Sequence, residues 1–325
     1  MRSAIEGTDA VTASVPGIAT VQTVAPAPAP RRRRPSADGY WPLLFVLPLL
    51  AGVGLFYLWP LLQSAYFSFT EWGVFGGATW TGLDNYIRLF SDPSVLRSIL
   101  NTVIYTAILL LGIPIATVFA SLLNRPGLRF AMIYRTCFFL PYVAMPTAIS
   151  MVWRIIYNQD YGVINSALRV FGIEGPAWIS TEWFALVAVS VLGLWMSVGF
   201  NMIILSAGLK GIPAELYEAS SLDGASQGRQ FFSVTVPLLT PSIFFLSVMT
   251  LISGFQLFDL LYALLGPTNP VMPKTQSLVF MFYDAAFLTN DKGYASAIAM
   301  FVLLIIAVCT FLQFRLQRRW VHYVD

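Results

Sequence analysis

The stretch that decides the fold is EASSLDGASQGRQFFSVTVPLLTP, residues 218–241, a polar interval between two long apolar segments. Pro213 lies just ahead of it and suits the first turn of a helix, where no backbone N–H is needed. Asp223-Gly224 then turns the chain, because glycine reaches positive φ without a steric penalty. Phe231 follows on a second short helix. The pattern predicts a polar helix–turn–helix in a protein that keeps polar groups out of its long segments.

The first of these two short helices has one small, mostly apolar face. Leu216, Ala219 and Ser220 form it, because they are spaced i, i+3, i+4. Glu215 and Glu218 lie near the start of the same helix, where negative charge favours the helix dipole. The sequence therefore predicts a knob that allows close approach of a partner, and the alternative is a connector lying on the membrane surface.

The composition indicates a membrane protein. The chain has 325 residues, of which 57% are hydrophobic and 11% charged, with a mean hydropathy of +0.70. A soluble domain carries about 25% charged residues. The missing charge implies that much of the surface faces lipid. The net charge of +3 is too small and too scattered to indicate a nucleic-acid partner.

Apolar segments long enough to cross a bilayer, about 20 residues each, recur along the chain. There are six, at 42–65, 98–123, 136–156, 183–208, 238–263 and 294–314. They predict an all-α, polytopic membrane domain over residues 41–325, with six transmembrane helices and both termini on one side. Pro141 and Pro146 together predict a bend in the third segment.

The N-terminal residues 1–40 are rich in Ala, Pro, Val and Thr and end in the basic run Arg31–Arg34. A segment of this composition cannot bury enough apolar surface to order itself, so we expect a disordered tail. It is not a signal peptide, because no apolar core precedes the basic run.

The distribution of Lys and Arg predicts which side is cytoplasmic. Thirteen fall on the side of the termini and of the loop 209–237, namely Arg2, Arg31, Arg32, Arg33, Arg34, Arg125, Arg129, Arg135, Lys210, Arg229, Arg315, Arg318 and Arg319. Six fall on the other side, namely Arg88, Arg97, Arg154, Arg169, Lys274 and Lys292. By the positive-inside rule, both termini and the loop lie in the cytoplasm.

Two classes of chemistry are excluded by what the sequence lacks. A phosphate-binding loop needs the pattern G-x-x-x-x-G-K-[ST], and Lys274-Thr275 is the nearest stretch, preceded by Pro273. ATP hydrolysis would therefore require a partner chain. His322, Cys137 and Cys309 form no cluster with acidic residues, so no metal site is predicted, and both cysteines are read as buried small apolar residues.

Polar and small residues in the fourth and fifth segments could line a solute path. Ser197 and Asn201 are four apart and share a helix face, as do Thr250, Ser253 and Gly254. Neutral sugars are bound through amides, hydroxyls and aromatic faces, which Phe200, Asn201 and Gln256 provide. Small residues that only allow close helix packing are the alternative. Asp259 is an acid inside the fifth segment, and either contacts the solute or bonds loop backbone.

The polar stretch resembles the EAA loop of ABC-importer permeases at fixed offsets. The matched positions are Glu218, Ala219, Asp223, Gly224, Ala225, Phe231, Pro237 and Pro241, with Ser220 where the family has a second Ala. Other stretches resemble sugar-type permeases: GLDNYIRLFSDP (82–93), NTVIYT (101–106), FFLPYVAMPTAISMVWRIIYNQDYGVINSAL (138–168), FQLFDLLYALLGP (255–267) and FYDAAFLTNDKGYASAIAM (282–300). The resemblance covers about residues 40–315 and is to the maltose and multiple-sugar branch.

The resemblance implies a type I importer permease fold in a prokaryotic cytoplasmic membrane. It implies a sugar of the oligosaccharide class as solute. It also implies three kinds of partner: a second permease subunit, ATPase subunits that bind ATP and magnesium, and an extracytoplasmic solute-binding protein. The residues it implies for ATPase coupling, with Glu215 added from the helix start, are Glu215, Glu218, Ala219, Asp223, Gly224, Ala225 and Phe231. On the substrate path it implies Ser197, Phe200, Thr250, Gly254 and Leu257, beside Asn201, Gln256 and Asp259.

Three alternatives remain open from the sequence. The same architecture could import glycerol phosphate or another small polar solute, although the segments place no cationic residue centrally. A proton-driven secondary transporter would require several buried carboxylates or histidines, and Asp259 is the acid well inside a segment. A membrane-embedded enzyme would require a catalytic cluster, which the sequence does not contain.

Overall fold

The structure is a computed structural model, and it describes residues 41–72, 77–125, 127–318 and 321. The predicted tail, residues 1–40, lies outside this part of the chain. The chain divides into two compact units, Met1–Gly54 and Leu55–Asp325. Of the first unit the structure describes one apolar helix, which begins at Trp41. The second unit contains the hairpin, the remaining helices and the cavities.

The described chain is mostly helical, with one short hairpin. The helices are α1 (Trp41–Val53), α2 (Trp59–Phe67), α3 (Asp84–Ser91), α4 (Pro93–Leu110), α5 (Gly112–Leu123), α6 (Ala131–Val143), α7 (Pro146–Ile156), α8 (Val163–Val170), α9 (Glu182–Lys210), α10 (Ala214–Leu222), α11 (Gln227–Gln230), α12 (Val236–Leu238), α13 (Thr240–Phe255), α14 (Asp259–Leu265), α15 (Met272–Thr275), α16 (Leu278–Tyr283) and α17 (Lys292–Gln317). Three π-helical segments lie at Gly54–Leu58, Phe231–Thr235 and Asp284–Leu288. The antiparallel hairpin pairs β1 (Thr70–Trp72) with β2 (Ala78–Trp80), which the all-α prediction omitted.

Within the described residues, four helical stretches are long and apolar enough to cross a membrane. They are Leu44–Phe67, Pro93–Leu123, Glu182–Lys210 and Lys292–Gln317. Two further stretches qualify only as bent pairs, Ala131–Val143 with Pro146–Ile156 and Gln227–Leu238 with Thr240–Phe255. Each of the six predicted segments therefore coincides with a straight or a bent helical stretch of the described chain.

The third segment is bent by 98°, as its prolines predict. The break falls at Ala144 and Met145, both with extended backbone, immediately before Pro146. A proline ring clashes with a helical residue before it, so Met145 is forced out of the helix. Pro141 remains inside α6 and leaves one carbonyl without its helical donor.

The fifth segment ends earlier than its hydropathy predicts. The helix α13 stops at Phe255, and Phe258 has a non-helical backbone with φ −144° and ψ −62°. Asp259 therefore does not lie inside this span. It is exposed in the first turn of the separate helix α14. The apolar run continues across the break, which is why hydropathy alone does not detect it.

The central helix of the second unit is α9. Its most apolar stretch is 56% buried, and it packs against α4, α5, α6 and α13. Lipid is as apolar as the side chains, so close packing of small residues holds such helices together. Gly199 illustrates this, because a Cβ placed there would lie 1.9 Å from the carbonyl oxygen of Phe138 on α6.

Side-chain hydrogen bonds and ion pairs connect neighbouring elements at the two opposite ends of the long helices. At the α10 end, Arg135 donates to Asn124 Oδ1 at 2.7 Å and so joins α6 to the end of α5. At the opposite end, Arg88 and Asp291 form an ion pair of 2.6 Å, and Lys274 lies 3.3 Å from Glu182. We call these the α10 end and the far end.

The far end also contains a carboxylate with an altered acidity. Partial burial would raise the pKa of Asp92, but hydrogen bonds from Ser94 and Tyr294 and the nearby Arg88 hold it below its ordinary value. Asp92 caps α4 by accepting the Ser94 N–H at 2.8 Å. It also accepts the Tyr294 hydroxyl at 3.2 Å, so it joins the start of α17 to the start of α4.

Large apolar side chains stay exposed along these helices. Met132 on α6 is 81% exposed, and Phe311 on α17 is 64% exposed. Cys137 is also exposed and Cys309 is half-buried, so the prediction that both are buried is wrong. A water-soluble monomer rarely carries so much apolar surface. These faces fit lipid or another apolar chain.

Candidate functional site

The polar stretch forms a helix–turn–helix that projects from the α10 end. The helix α9 ends at Lys210, and Pro213, with an extended ψ of 136°, precedes α10 rather than lying in its first turn. Gly224 adopts φ +75°, as predicted for the turn. Backbone bonds from Gly224 N to Ser221 O at 3.0 Å and from Ala225 N to Ser220 O at 3.1 Å close the end of α10. Ser226 then caps α11.

The residues predicted for coupling lie together on this projection. None of the residues of α10 is buried. Glu215, Glu218, Ala219, Asp223 and Gly224 are exposed, whereas Ala225 and Phe231 are half-buried. The surface combines three carboxylates with small side chains.

Two exposed apolar side chains on the projection were not predicted. Leu222 is 90% exposed at the end of α10, and Phe232 is 72% exposed in the π-helical segment that follows α11. Leu222 stands beside the turn residues Asp223-Gly224, and Phe232 lies in an irregular π-helical turn, so regular helix periodicity does not predict which side of either residue faces outward. They are exposed apolar side chains on an otherwise polar projection.

A cleft of about 660 Å³ separates the projection from the ends of the neighbouring helices. Polar side chains from α5, α10 and α11 line much of it, together with residues of the π-helical segment. The lining residues are Ser121, Asn124, Arg125, Leu209, Ala214, Tyr217, Glu218, Gln227, Gln230, Phe231 and Thr235.

A second cavity, of about 510 Å³, lies among the long helices. It is lined from α4, α9 and α13, from the bend between α6 and α7, and from the break between α13 and α14. The lining residues are Tyr105, Leu109, Tyr142, Pro146, Gly193, Met196, Ser197, Phe200, Asn201, Met249, Thr250, Ser253, Gln256, Leu257, Phe258, Asp259 and Leu260.

The structure brings together most of the residues predicted for the solute path. The members that line the second cavity are Ser197, Phe200, Asn201, Thr250, Gln256, Leu257 and Asp259. Gly254 is the exception, because it is buried and faces α4. A Cβ there would lie 2.4 Å from the Thr106 hydroxyl. Its predicted place on the path is therefore wrong, and its small size serves helix packing.

Aromatic rings form one wall of the cavity. The rings of Tyr142 and Phe200 are stacked at 4.7 Å with an interplanar angle of 20°. Tyr142, Tyr105 and Phe258 were not predicted as lining residues. Tyr105 lies on α4, Tyr142 on α6 and Phe258 in the break between α13 and α14. Tyr142 reaches Phe200 because α6 packs directly against α9. The sequence does not specify which face of α6 meets α9.

Asn201 is a buried polar group with spare hydrogen-bonding capacity. It is 2% exposed, and its Nδ2 has no hydrogen-bond partner within the described part of the chain. Gly112 makes room beside it, since a Cβ at Gly112 would lie 3.4 Å from this nitrogen. A buried amide without an acceptor costs about 1–3 kcal/mol, and this nitrogen is inaccessible to solvent, so a solute acceptor reaches it only when the Asn201 side chain turns toward the cavity.

The described residues that line the second cavity carry no positive charge and include one carboxylate. Asp259 lines it, and no Lys, Arg or His is among the described residues that do. In the same described ranges no group of three or more His, Cys, Asp or Glu is arranged to hold a metal ion. The cavity can therefore offer hydroxyls, amides and aromatic faces to a neutral polar solute.

Comparison with known proteins identifies the family. A family described as "Binding-protein-dependent transport system inner membrane component" matches residues 95–322. A multiple sugar-binding transport system permease protein of Streptococcus mutans is 33% identical over 86% of this chain and 96% of its own length. An sn-glycerol-3-phosphate transport system permease protein of Yersinia pestis is 31% identical over 89% of this chain and 98% of its own length.

A solved structure shares the fold. It is a bacterial ABC transporter involved in the import of the acidic polysaccharide alginate, and one of its chains matches with a TM-score of 0.76. The sequence identity is 20%, and the match covers 86% of this chain and 96% of that one. The chain belongs to the inner-membrane components of binding-protein-dependent transport systems.

Proposed function

We propose that this chain is a permease subunit of an ATP-driven ABC importer and forms half of a pathway for a sugar, most simply an oligosaccharide. The observation that carries the proposal is the second cavity. It offers stacked aromatic rings, hydroxyls and an unpaired amide, with no described cationic side chain, to whatever occupies it. The multiple-sugar permease of Streptococcus mutans supports the same class of solute.

The projection at the α10 end is proposed to contact a separate ATPase. Its carboxylates and exposed Leu222 support a role as a docking surface. ATP and magnesium would be bound by that partner, because the sequence has no phosphate-binding loop of its own. The remaining partners are a second permease subunit and an extracytoplasmic solute-binding protein. This chain would then act as a transport component and not as an enzyme.

In this proposal six spans cross a prokaryotic cytoplasmic membrane, and both termini lie inside. The bent pairs α6–α7 and α11–α13 each count as one span. The excess of Lys and Arg on the side of the loop 209–237 supports a cytoplasmic α10 end.

The orientation predicts opposite labelling at two exposed positions. In a protein with Cys137→Ala and Cys309→Ala, Ser226→Cys at the α10 end should react only with a membrane-permeant thiol reagent. Thr268→Cys at the far end should react with an impermeant one, since both side chains are exposed. Labelling of intact cells, followed by lysis as a control for accessibility, measures this. The reverse pattern would invert the orientation and separate α10 from any cytoplasmic ATPase.

A second candidate solute is a glycerol phosphate, because a relative of that function is 31% identical. A phosphate would need cationic or backbone donors, and Asp259 would repel it. A proton-driven transporter is less well supported, since Asp259 lies outside the span and is exposed. The uptake experiment below separates these solutes.

Asn201→Leu is predicted to lower solute uptake without loss of folded protein. The variant removes an unpaired buried amide, so stability should be unchanged or increased, while one solute hydrogen bond of about 1 kcal/mol is lost. We expect uptake to fall about fivefold at subsaturating solute. The measurement is uptake of labelled oligosaccharides and of glycerol phosphate by the complete transporter in liposomes.

Ile203→Ala is the matched control, because Ile203 lies on the same helix, is 37% exposed and does not line the cavity. The isolated subunit should hydrolyse no ATP. If Asn201→Leu transports every solute at the wild-type rate, the second cavity is not the solute path. Uptake of glycerol phosphate alone would replace the sugar with the second candidate.

A further inference from the structure

The short helix α10 has few direct ties to the helices behind it. None of its residues is buried. Its position is set by the two turns at its ends and by side chains that reach across the cleft. The most buried of these contacts starts at Tyr217, which is half-buried and packs against the apolar cluster of α5, α9 and α13.

The Tyr217 hydroxyl reaches the fifth span. It shares a hydrogen bond of 3.0 Å with the hydroxyl of Thr235, 18 residues further along the chain. Thr235 is 4% exposed, so this bond is shielded from water on one side. Gln230 adds a second tie at the surface, donating to Ser221 Oγ at 2.8 Å and to Tyr217 O at 3.4 Å.

Thr235 lies where the helix is least regular. It is the last residue of the π-helical segment Phe231–Thr235, in which the Val236 N–H bonds to the Phe231 carbonyl. The helical direction then changes by 66° between Gln227–Leu238 and α13. Single-turn π segments inside α-helices occur often at functional sites. A displacement applied at Thr235 acts on this irregular turn.

Tyr217 shares an apolar cluster with a residue that lines the second cavity. The apolar cluster against which it packs includes Met202, Leu205 and Leu239, and Phe200 packs against the same cluster. Phe200 is also a wall of the second cavity. Tyr217 thus bonds to Thr235 at the start of the fifth span and packs against the same apolar cluster as Phe200.

From this geometry we infer that Tyr217 and Thr235 are positioning residues that transmit movement of α10 to the fifth span. The inference rests on the proposed function, in which α10 receives the ATPase. Tyr217 acts through Thr235 and the apolar cluster, and neither residue touches solute or nucleotide. A position between two sites does not by itself demonstrate that they are coupled, so the experiment measures how solute uptake and ATP hydrolysis depend on the two hydroxyls.

The experiment uses the complete transporter in liposomes, with solute-loaded binding protein added. Tyr217→Phe and Thr235→Val each remove one hydroxyl with little change of shape. Each should lower uptake and solute-stimulated ATP hydrolysis about fivefold, with basal hydrolysis and ATPase co-purification unchanged. The double variant should be no worse than either single one, because both remove the same bond. Thr235→Ser, which keeps the hydroxyl, should restore activity.

Tyr134→Phe is the control, since Tyr134 is 46% exposed on α6 at the same end. Glu218→Lys in the same preparation tests the proposed function separately. If Glu218→Lys abolishes uptake while Tyr217→Phe and Thr235→Val behave as wild type, only this inference fails. Effects that multiply in the double variant overturn it, as does loss of ATPase co-purification in Tyr217→Phe. Wild-type uptake in Glu218→Lys would count against the proposed function itself.

Discussion

Gly224→Val should reduce solute uptake to a tenth or less, while the protein remains in the membrane. Gly224 has φ +75° at the turn between α10 and α11. A non-glycine residue pays about 1–2 kcal/mol in this region, and a β-branched one pays more. A penalty of about 1.4 kcal/mol already lowers the native turn tenfold relative to alternatives. The turn would open, and α10 would lose its direction toward a partner.

The effect comes from the backbone and not from crowding. A Cβ at Gly224 would meet nothing within 4 Å. Gly228→Val is the matched control, since Gly228 lies in α11, has no positive φ and also faces open space. Uptake and ATPase co-purification should both fall for Gly224→Val and remain for Gly228→Val. Equal behaviour of the two variants would mean that the turn does not set the position of α10.

Glu218→Lys tests the same surface through its charge. Glu218 is exposed on α10 and lines the cleft that Arg125 also lines. Reversing a charge in a docking surface opposes the charges arranged on the partner. We expect loss of uptake and of ATPase co-purification. Glu174→Lys, an exposed glutamate at the far end, should leave both intact. If Glu218→Lys retains full uptake, residues 218–241 form only a connector.

The sequence predicted the turn between α10 and α11 and the bend between α6 and α7, because each depends on local chemistry. The turn at Asp223-Gly224 requires a positive φ, which glycine supplies wherever the surrounding chain lies. The break before Pro146 follows from a clash between neighbouring residues. Length and hydropathy located six apolar helical stretches, since the thickness of the bilayer sets the apolar length required, but the bounds of the fifth, predicted at 238–263, differ from Gln227–Leu238 with Thr240–Phe255.

Features that depend on distant contacts were not predictable in the same way. The end of α13 at Phe255 follows from how residues 256–280 fold back on the far end. There Asn101 of α4 donates to the carbonyl oxygens of Lys274 and Gln276 at 2.9 and 3.0 Å. Hydropathy does not contain this information, so Asp259 was assigned to the wrong element. Tyr142 was missed for the same reason, because its place in the cavity depends on which face of α6 packs against α9.

The roles of the glycines were also not predictable from the sequence alone, because glycine serves three different purposes in this chain. Gly224 supplies a backbone angle, Gly254 supplies a contact with Thr106, and Gly199 supplies a contact between two backbones. From the sequence, a solute contact was considered for Gly254, with close helix packing of small residues as the alternative. Only the atoms that lie opposite each glycine in the structure show which purpose it serves. The atom that faces Gly199 is the carbonyl oxygen of Phe138 in α6.

Gly199→Ala is therefore expected to cause a large loss of folded protein. The added Cβ would lie 1.9 Å from the Phe138 oxygen and 3.0 Å from the Cα of Phe139. A backbone oxygen cannot rotate away as a side chain can, so α6 and α9 would have to separate. Overpacking costs about 1–3 kcal/mol where side chains can adjust, and we expect the upper end of that range or more.

The measurement is thermal unfolding of the purified subunit in detergent, together with its yield in the membrane. Gly52→Ala is the matched control, because Gly52 lies in the apolar helix α1 and a Cβ there meets nothing within 4 Å. Since Gly in a helix is about 1 kcal/mol less favourable than Ala, the control should be neutral or slightly stabilised. If Gly199→Ala unfolds at the wild-type temperature, α6 can move away from α9 at little cost. The wall that Tyr142 and Phe200 form would then be adjustable, and the size of the second cavity would not limit the solute.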